Sequence, residues 1–157
     1  MKSQRRIDSI HRSSRPRGVT IAESALVLST LLLILLSMLD LGLAVLQFNS
    51  LSEAARGTAR EAIVRGEMAP PERLAWGPAT YDGTAADQTE QAAVVRKSLT
   101  AFDPADVRVR LEWPDGSNDV DRKVRVTLSY PYQPILPLPF LGSLYNLSAI
   151  STMTITH

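Results

Sequence analysis

Two carboxylates stand inside the most apolar stretch of this 157-residue chain, and each needs a physical reason to be there. Glu23 follows Gly18 by five residues and opens a run, residues 24–39, that holds no charge. An acid at mid-bilayer costs about 2.5–3.5 kcal/mol on insertion scales, and less near the interface. A cut after Gly18 would give Val19 a free α-amine, with Glu23 one helical turn away at i+4. That amine, on the same chain or on a neighbouring subunit, would pair with the carboxylate. The pair would offset the desolvation of Glu23 and set axial register between subunits. The plainer reading leaves Glu23 among lipid headgroups. Asp40 is the second acid, roughly 25 Å beyond Glu23 at the helical rise of about 1.5 Å per residue. Either it reaches the outer face of a bilayer at little cost, or it makes a polar contact with a partner helix.

Other chemistry is sparse. The chain has no cysteine, which excludes disulfides, a thiol nucleophile and Cys-ligated metal. His11 and His157 lie near opposite ends, so neither a His-rich metal centre nor a Ser-His-acid arrangement is expected. No Gly-rich phosphate loop occurs. Asp115, Asp119 and Asp121 surround Gly116, but the spacing is not that of an EF-hand and the terminal Glu is missing; turn chemistry accounts for them. We therefore expect no catalytic residue, no cofactor and no metal. Arg108, Arg110, Arg122, Lys123 and Arg125 read as a solvated sheet face. No aromatic residues interleave with them to stack bases, so nucleic acid is not an expected partner.

The elements that position Glu23 and Asp40 follow from hydropathy. Residues 21–48 are long and apolar enough to cross a bilayer core of about 30 Å, which needs roughly 20 residues. In lipid a Leu-rich segment of this kind is helical, because every backbone group must be satisfied within the segment. Residues 1–18 carry Lys2, Arg5, Arg6, Arg12, Arg15 and Arg17 against one acid, Asp8, while the remainder is net acidic. The positive-inside rule then holds the N-terminus in the cytoplasm and exports the chain after about residue 50. A bacterial inner membrane is the natural setting. A cleaved secretory signal is the competing reading, with Gly42, Leu43 and Ala44 spaced like a peptidase site and a mature start at Val45. Against it, the apolar run exceeds the usual h-region of roughly 7–15 residues.

The stretch RGVTIAESALVLSTLLLILLSMLDLGLAVLQFNSLSEAARGTAREAIVRG resembles the start of TadE-like proteins, pseudopilins of the tight-adherence (Flp pilus) system. The resemblance rests on Arg17-Gly18, on Glu23, on the Leu-rich span, on Asp40 with Gly42, and on the Ala/Arg helix around Ala54, Ala55, Arg56, Ala59 and Arg60. It covers about fifty residues. Ser24 stands where relatives commonly have an aromatic, and Val19 replaces a more typical first residue. The resemblance implies processing between Gly18 and Val19 by a prepilin peptidase, and a structural part in adhesive pilus assembly; the rival reading is a permanently membrane-anchored binding module of the cell envelope that never enters a filament. Implied partners are the lipid bilayer, other pilins and pseudopilins, and an inner-membrane assembly platform.

Helical spacing of Phe48, Leu51, Ala55, Ala59, Ala62 and Ile63 carries the helix past the lipid. Glu61 and Arg65 pair at i,i+4, and Gly66 is a plausible stop. The small residues Ala54, Ala55, Gly57, Ala59 and Ala62 suit either another helix or this chain's own sheet. Residues 67–86, rich in Pro, Gly, Ala and Thr, read as a loop. A second helix is expected over residues 87–102. Period-two alternation in residues 107–113 and 124–130, about a Pro114-Asp115-Gly116-Ser117 turn, predicts an antiparallel hairpin. Residues 131–142 hold four prolines and read as a loop exposing Ile135, Leu136, Leu138 and Phe140. Residues 147–156 read as a last strand. The expected fold is α+β and pilin-like: a long N-terminal transmembrane helix, a short second helix and a small, three-stranded antiparallel sheet. The expected parts are a basic cytoplasmic leader (1–18), the membrane helix with its exported extension (19–66) and an exported α+β domain (67–157).

Overall fold

A single helix, α1, runs from Arg17 to Ile63 over 47 residues in the computed structural model, which describes residues 17–99, 102–135 and 145–156. The leader, residues 1–16, and the apolar residues Leu136, Leu138 and Phe140 lie outside the described residues, as do the side chains of residues 17–19. The chain divides into two compact units, Met1–Ser37 and Met38–His157.

The first unit is the apolar part of α1. Its side chains from Thr20 to Leu35 are exposed all round the helix, and none of the most apolar 18-residue window is buried. A helix that is hydrophobic around its whole circumference needs an apolar solvent.

The second unit is an α+β fold. Strands β1 (Tyr81–Thr84), β2 (Arg108–Glu112), β3 (Lys123–Tyr132) and β4 (Tyr145–Thr154) form one antiparallel sheet in chain order. Alternation in β2 and β3 sends Val109, Leu111, Val124, Val126 and Leu128 inward, all fully buried, while Arg108, Arg110 and Arg125 face water. The register Leu111↔Val126 and Val126↔Ser151 sets the inward residues of neighbouring strands side by side. The buried stripe of α1 is Leu51, Ala54, Ala55, Thr58, Ala59 and Ala62, in one cluster with the strand valines and leucines. Thr58 is tolerated there because its hydroxyl donates to the Ala54 carbonyl at 2.8 Å. The small helix residues therefore pack under this chain's own sheet.

The sheet has four strands rather than three. β1 lies in the segment read as a loop, where Asp82 and Gly83 hide the strand pattern. The second helix, α2 (Glu90–Ser98), is shorter than expected. Thr89 caps it by accepting the Ala92 N–H at 3.3 Å. Asp87 is committed elsewhere, to the Thr84 N–H (3.2 Å) and hydroxyl (2.7 Å). α1 stops at Ile63 because the Thr156 N–H takes the Ile63 carbonyl at 3.0 Å. Pro131 belongs to β3, not to a loop. β2 pairs with β3 only as far as Ser129, so at Pro131 the strand has one neighbour, β4. A missing N–H is tolerated at such an edge.

Leu128→Ala is expected to lower the unfolding free energy of the second unit by about 2–5 kcal/mol, read by urea denaturation in detergent micelles. Leu31→Ala, on the exposed apolar helix, is expected to change it by less than about 0.5 kcal/mol. Gly77 has φ +92°, and a Cβ there would collide with the Trp113 indole. Gly77→Ala should cost more than about 1 kcal/mol in the same assay.

Candidate functional site

The candidate site is the apolar helix with its two acids. Within the first unit every hydroxyl between residues 24 and 37 is satisfied by the helix itself. Ser24 donates to Thr20 (2.8 Å), Ser29 to Ala25 (2.7 Å), Thr30 to Leu26 (2.9 Å) and Ser37 to Leu33 (2.8 Å), each to the carbonyl four residues back. Such back-bonding removes the desolvation cost that free hydroxyls would carry in hydrocarbon. Glu23 is exposed, and it takes part in none of the ion pairs found among the described residues. Gly18 and Val19 are within α1, whose backbone is helical from Arg17 on.

Asp40 has partners, and they lie far along the chain. Its Oδ1 accepts the Tyr132 hydroxyl and the backbone N–H of Ile135, the latter at 3.1 Å. The same hydroxyl sits 3.0 Å from the Asp40 carbonyl oxygen. Tyr132 is the last residue of β3 and only 6% exposed. Burial, reinforced by the Asp40 carboxylate, pushes its phenol up to about 12. This contact joins α1 to the end of the β3–β4 hairpin. At the hairpin's other end, Thr156 holds the Ile63 carbonyl through its N–H (3.0 Å) and hydroxyl (3.4 Å).

Two further clusters stiffen the second unit. Arg65 pairs with Glu61 (2.9 Å), as its spacing predicts, and also with Glu90 at the start of α2 (2.6 Å). Its guanidinium stacks on Trp76 at 4.7 Å, and the backbone N–H of Trp76 donates to the Arg65 carbonyl at 2.7 Å. Asp87 accepts from Thr84 and Tyr81, and these bonds hold its carboxyl below the ordinary value. Burial pushes the Tyr81 phenol up. The turn acids are engaged locally. Glu67 hydrogen-bonds Asp119 and is pushed up by it, while Asp119, which also accepts from Ser117, is held low. The Asp115 carboxylate accepts the Lys123 N–H at 3.0 Å. Among the described residues no three His, Asp or Glu side chains are placed to hold a metal ion.

Sequence reasoning placed Asp40 at the end of the span but missed Tyr132, its partner within the chain. No local pattern links residues 92 positions apart. A tyrosine just before a proline-rich segment was the only sign.

Residues 18–60 match the family model described as TadE-like protein. The match falls on α1, and it takes in Gly18, Glu23 and Asp40 together. No curated protein and no solved structure matches the chain.

Tyr132→Phe is expected to remove about 1–3 kcal/mol of stability, because it takes a hydrogen-bond donor from a carboxylate held against the fold. The pH dependence has a definite sign. Tyr132 ionises near 10 when unfolded and at about 12 when folded, so its contribution is intact below pH 10 and is lost as pH rises towards 12. Wild type should therefore lose more stability than Tyr132→Phe between pH 10 and 12, measured as the shift in urea midpoint.

Proposed function

We propose that this chain is a minor pilin or pseudopilin of the TadE-like kind, acting structurally in the assembly of an adhesive tight-adherence pilus. The observation that carries the reading is the TadE-like match over residues 18–60, on a helix whose span Thr20–Ile63 is long and apolar enough to cross a membrane. In this reading the helix stores the subunit in a bacterial inner membrane, crossing it once. The basic leader stays in the cytoplasm and the α+β unit is exported. A prepilin peptidase cuts between Gly18 and Val19. The new amine of Val19 then pairs with Glu23 on the same or a neighbouring subunit and registers it along the assembly axis. The partners are other pilins and pseudopilins, the assembly platform and the lipid bilayer.

The Asp40 contact supports retention of the helix over release as a secreted domain. A signal-peptidase cut after Ala44 would remove Asp40 and strip Tyr132 and the Ile135 N–H of their acceptor. It would also leave Val45, Leu46 and Phe48, all exposed, at the start of a secreted chain.

Mass spectrometry of the protein recovered from membranes should find Val19 as the first residue. A start at Met1 would point to a permanently anchored, unprocessed subunit, and a start at Val45 to secretion. Glu23→Ala should leave membrane insertion intact while reducing co-purification with other pilus subunits. Undiminished association would remove the registration role.

A further inference from the structure

The charged residues of the second unit are distributed unevenly along its length. Helix residues 38–52, strand and loop residues 126–135 and strand residues 145–154 contain one Asp, Glu, Lys or Arg in total, Asp40. That acid is turned inward onto Tyr132 and Ile135. At the other end of the same helix and hairpin stand Arg60, Glu61, Arg65, Arg122, Lys123 and the turn acids. These segments also display large apolar side chains: Leu41 is 66% exposed, Val45 52%, Phe48 43%, Ile135 57% and Tyr145 43%. Tyr145 pairs with Tyr132, and the Ile135 N–H rests on Asp40, so these groups ring one end of the unit.

The β3–β4 tip projects beyond the rest of the sheet. β2 pairs no further than Ser129, and Tyr130, Pro131 and Tyr132 continue with β4 alone, for roughly 10 Å at 3.3 Å per residue. The segment entering β2 carries exposed Asp103 and Asp106 beside Phe102, whose ring packs on Tyr130 at 4.9 Å, so on this side the charge-free surface is the part of the hairpin beyond Tyr130 together with the adjoining helix.

We propose that this end is a lipid-docking surface: the β3–β4 tip and the α1 face of Leu41, Val45 and Phe48 seat in the outer interfacial layer of the membrane that α1 crosses. The proposal rests on the reading of α1 as a membrane span. Lipid is the occupant because helix residues 41–48 follow directly, in sequence, on the apolar run, so the tip is joined to the bilayer by the shortest possible connection. Tyrosine is suited to this layer, with its ring among acyl chains and its hydroxyl in the wet headgroup region. Asp40 does not oppose immersion at this depth, since its carboxylate already has a hydroxyl and an N–H supplied by the protein. A burial of this kind would fix the height of the head above the membrane.

The chain has no native cysteine, so single nitroxide labels can be placed at will. Ile135→Cys, Tyr145→Cys, Leu32→Cys and Val120→Cys would be labelled in the full-length protein, reconstituted alone into phosphatidylcholine vesicles. Collision of each label with oxygen and with a water-soluble nickel chelate is then measured by electron paramagnetic resonance. Leu32 and both tip positions should favour oxygen, and Val120, beside the β2–β3 turn, should favour nickel. Tip labels that favour nickel while Leu32 favours oxygen would overturn lipid docking, leave the anchor standing and assign the surface to a protein partner. A nickel-favouring label at Leu32 would overturn the anchor and the docking with it. Ile135 and Tyr145 are independent, exposed positions, so misfolding of one variant leaves the other to decide.

Discussion

The second unit depends on how the Asp40 carboxylate is held. A carboxylate on a helix this apolar is costly unless hydrogen bonds replace the water it loses. Here the fold supplies two donors, the Tyr132 hydroxyl and the Ile135 N–H. The penalty thereby becomes a tether, because losing the contact would leave Asp40 without donors and Tyr132 without an acceptor. Burial raises the phenol to about 12, so Tyr132 stays a donor at any physiological pH. A helix whose middle packs through non-directional apolar contacts gains, at this end, a fixed position along its axis.

That fixed position has a counterpart at Ile63, where Thr156 closes the other end. Between the two tethers α1 rises about 34 Å at 1.5 Å per residue. β3 and β4, ten residues each, extend about 33 Å at 3.3 Å per residue. Helix segment and hairpin are matched in length, so both tethers close without strain. Between them the helix offers alanines and one self-satisfied threonine, which let the sheet approach closely. Sliding the helix by one turn would break both ends and push Leu51 or larger residues into the alanine positions.

Much of this was legible in the sequence, for physical reasons that also mark where it stops. The apolar helix announces itself because lipid demands a long uninterrupted run. β2 and β3 announce themselves because one wet face and one dry face impose a period of two on Arg108, Val109, Arg110 and Leu111. β1 is four residues with Asp82 and Gly83 in the middle; its strand form is dictated by pairing with β2 rather than by its own pattern. Pro131 misleads because strand-breaking rules assume neighbours on both sides, and β3 has lost one by that point. In the candidate site the positions of Glu23 and Asp40 were readable, but the Asp40–Tyr132 bond and the Arg65–Trp76–Glu90 cluster were not. Each is a meeting of distant segments that no local signal encodes.

Read from the sequence, the two acids of α1 look alike: single carboxylates inside an apolar run. The fold separates them. Asp40 is satisfied within its own chain, so a contact between Asp40 and a neighbouring helix would have to displace Tyr132 and the Ile135 N–H. Glu23 enters no ion pair among the described residues and stands on the helix turn next to Val19. Under the proposed function this divides the labour between them. Asp40 is spent on the internal geometry of the subunit, where strength and permanence are useful. Glu23 is left to a cation that comes from outside the folded unit, and an amine created by cleavage is such a cation at the required spacing. An acid whose partner appears only after processing makes subunit registration conditional on processing, which an acid already bonded at synthesis cannot do.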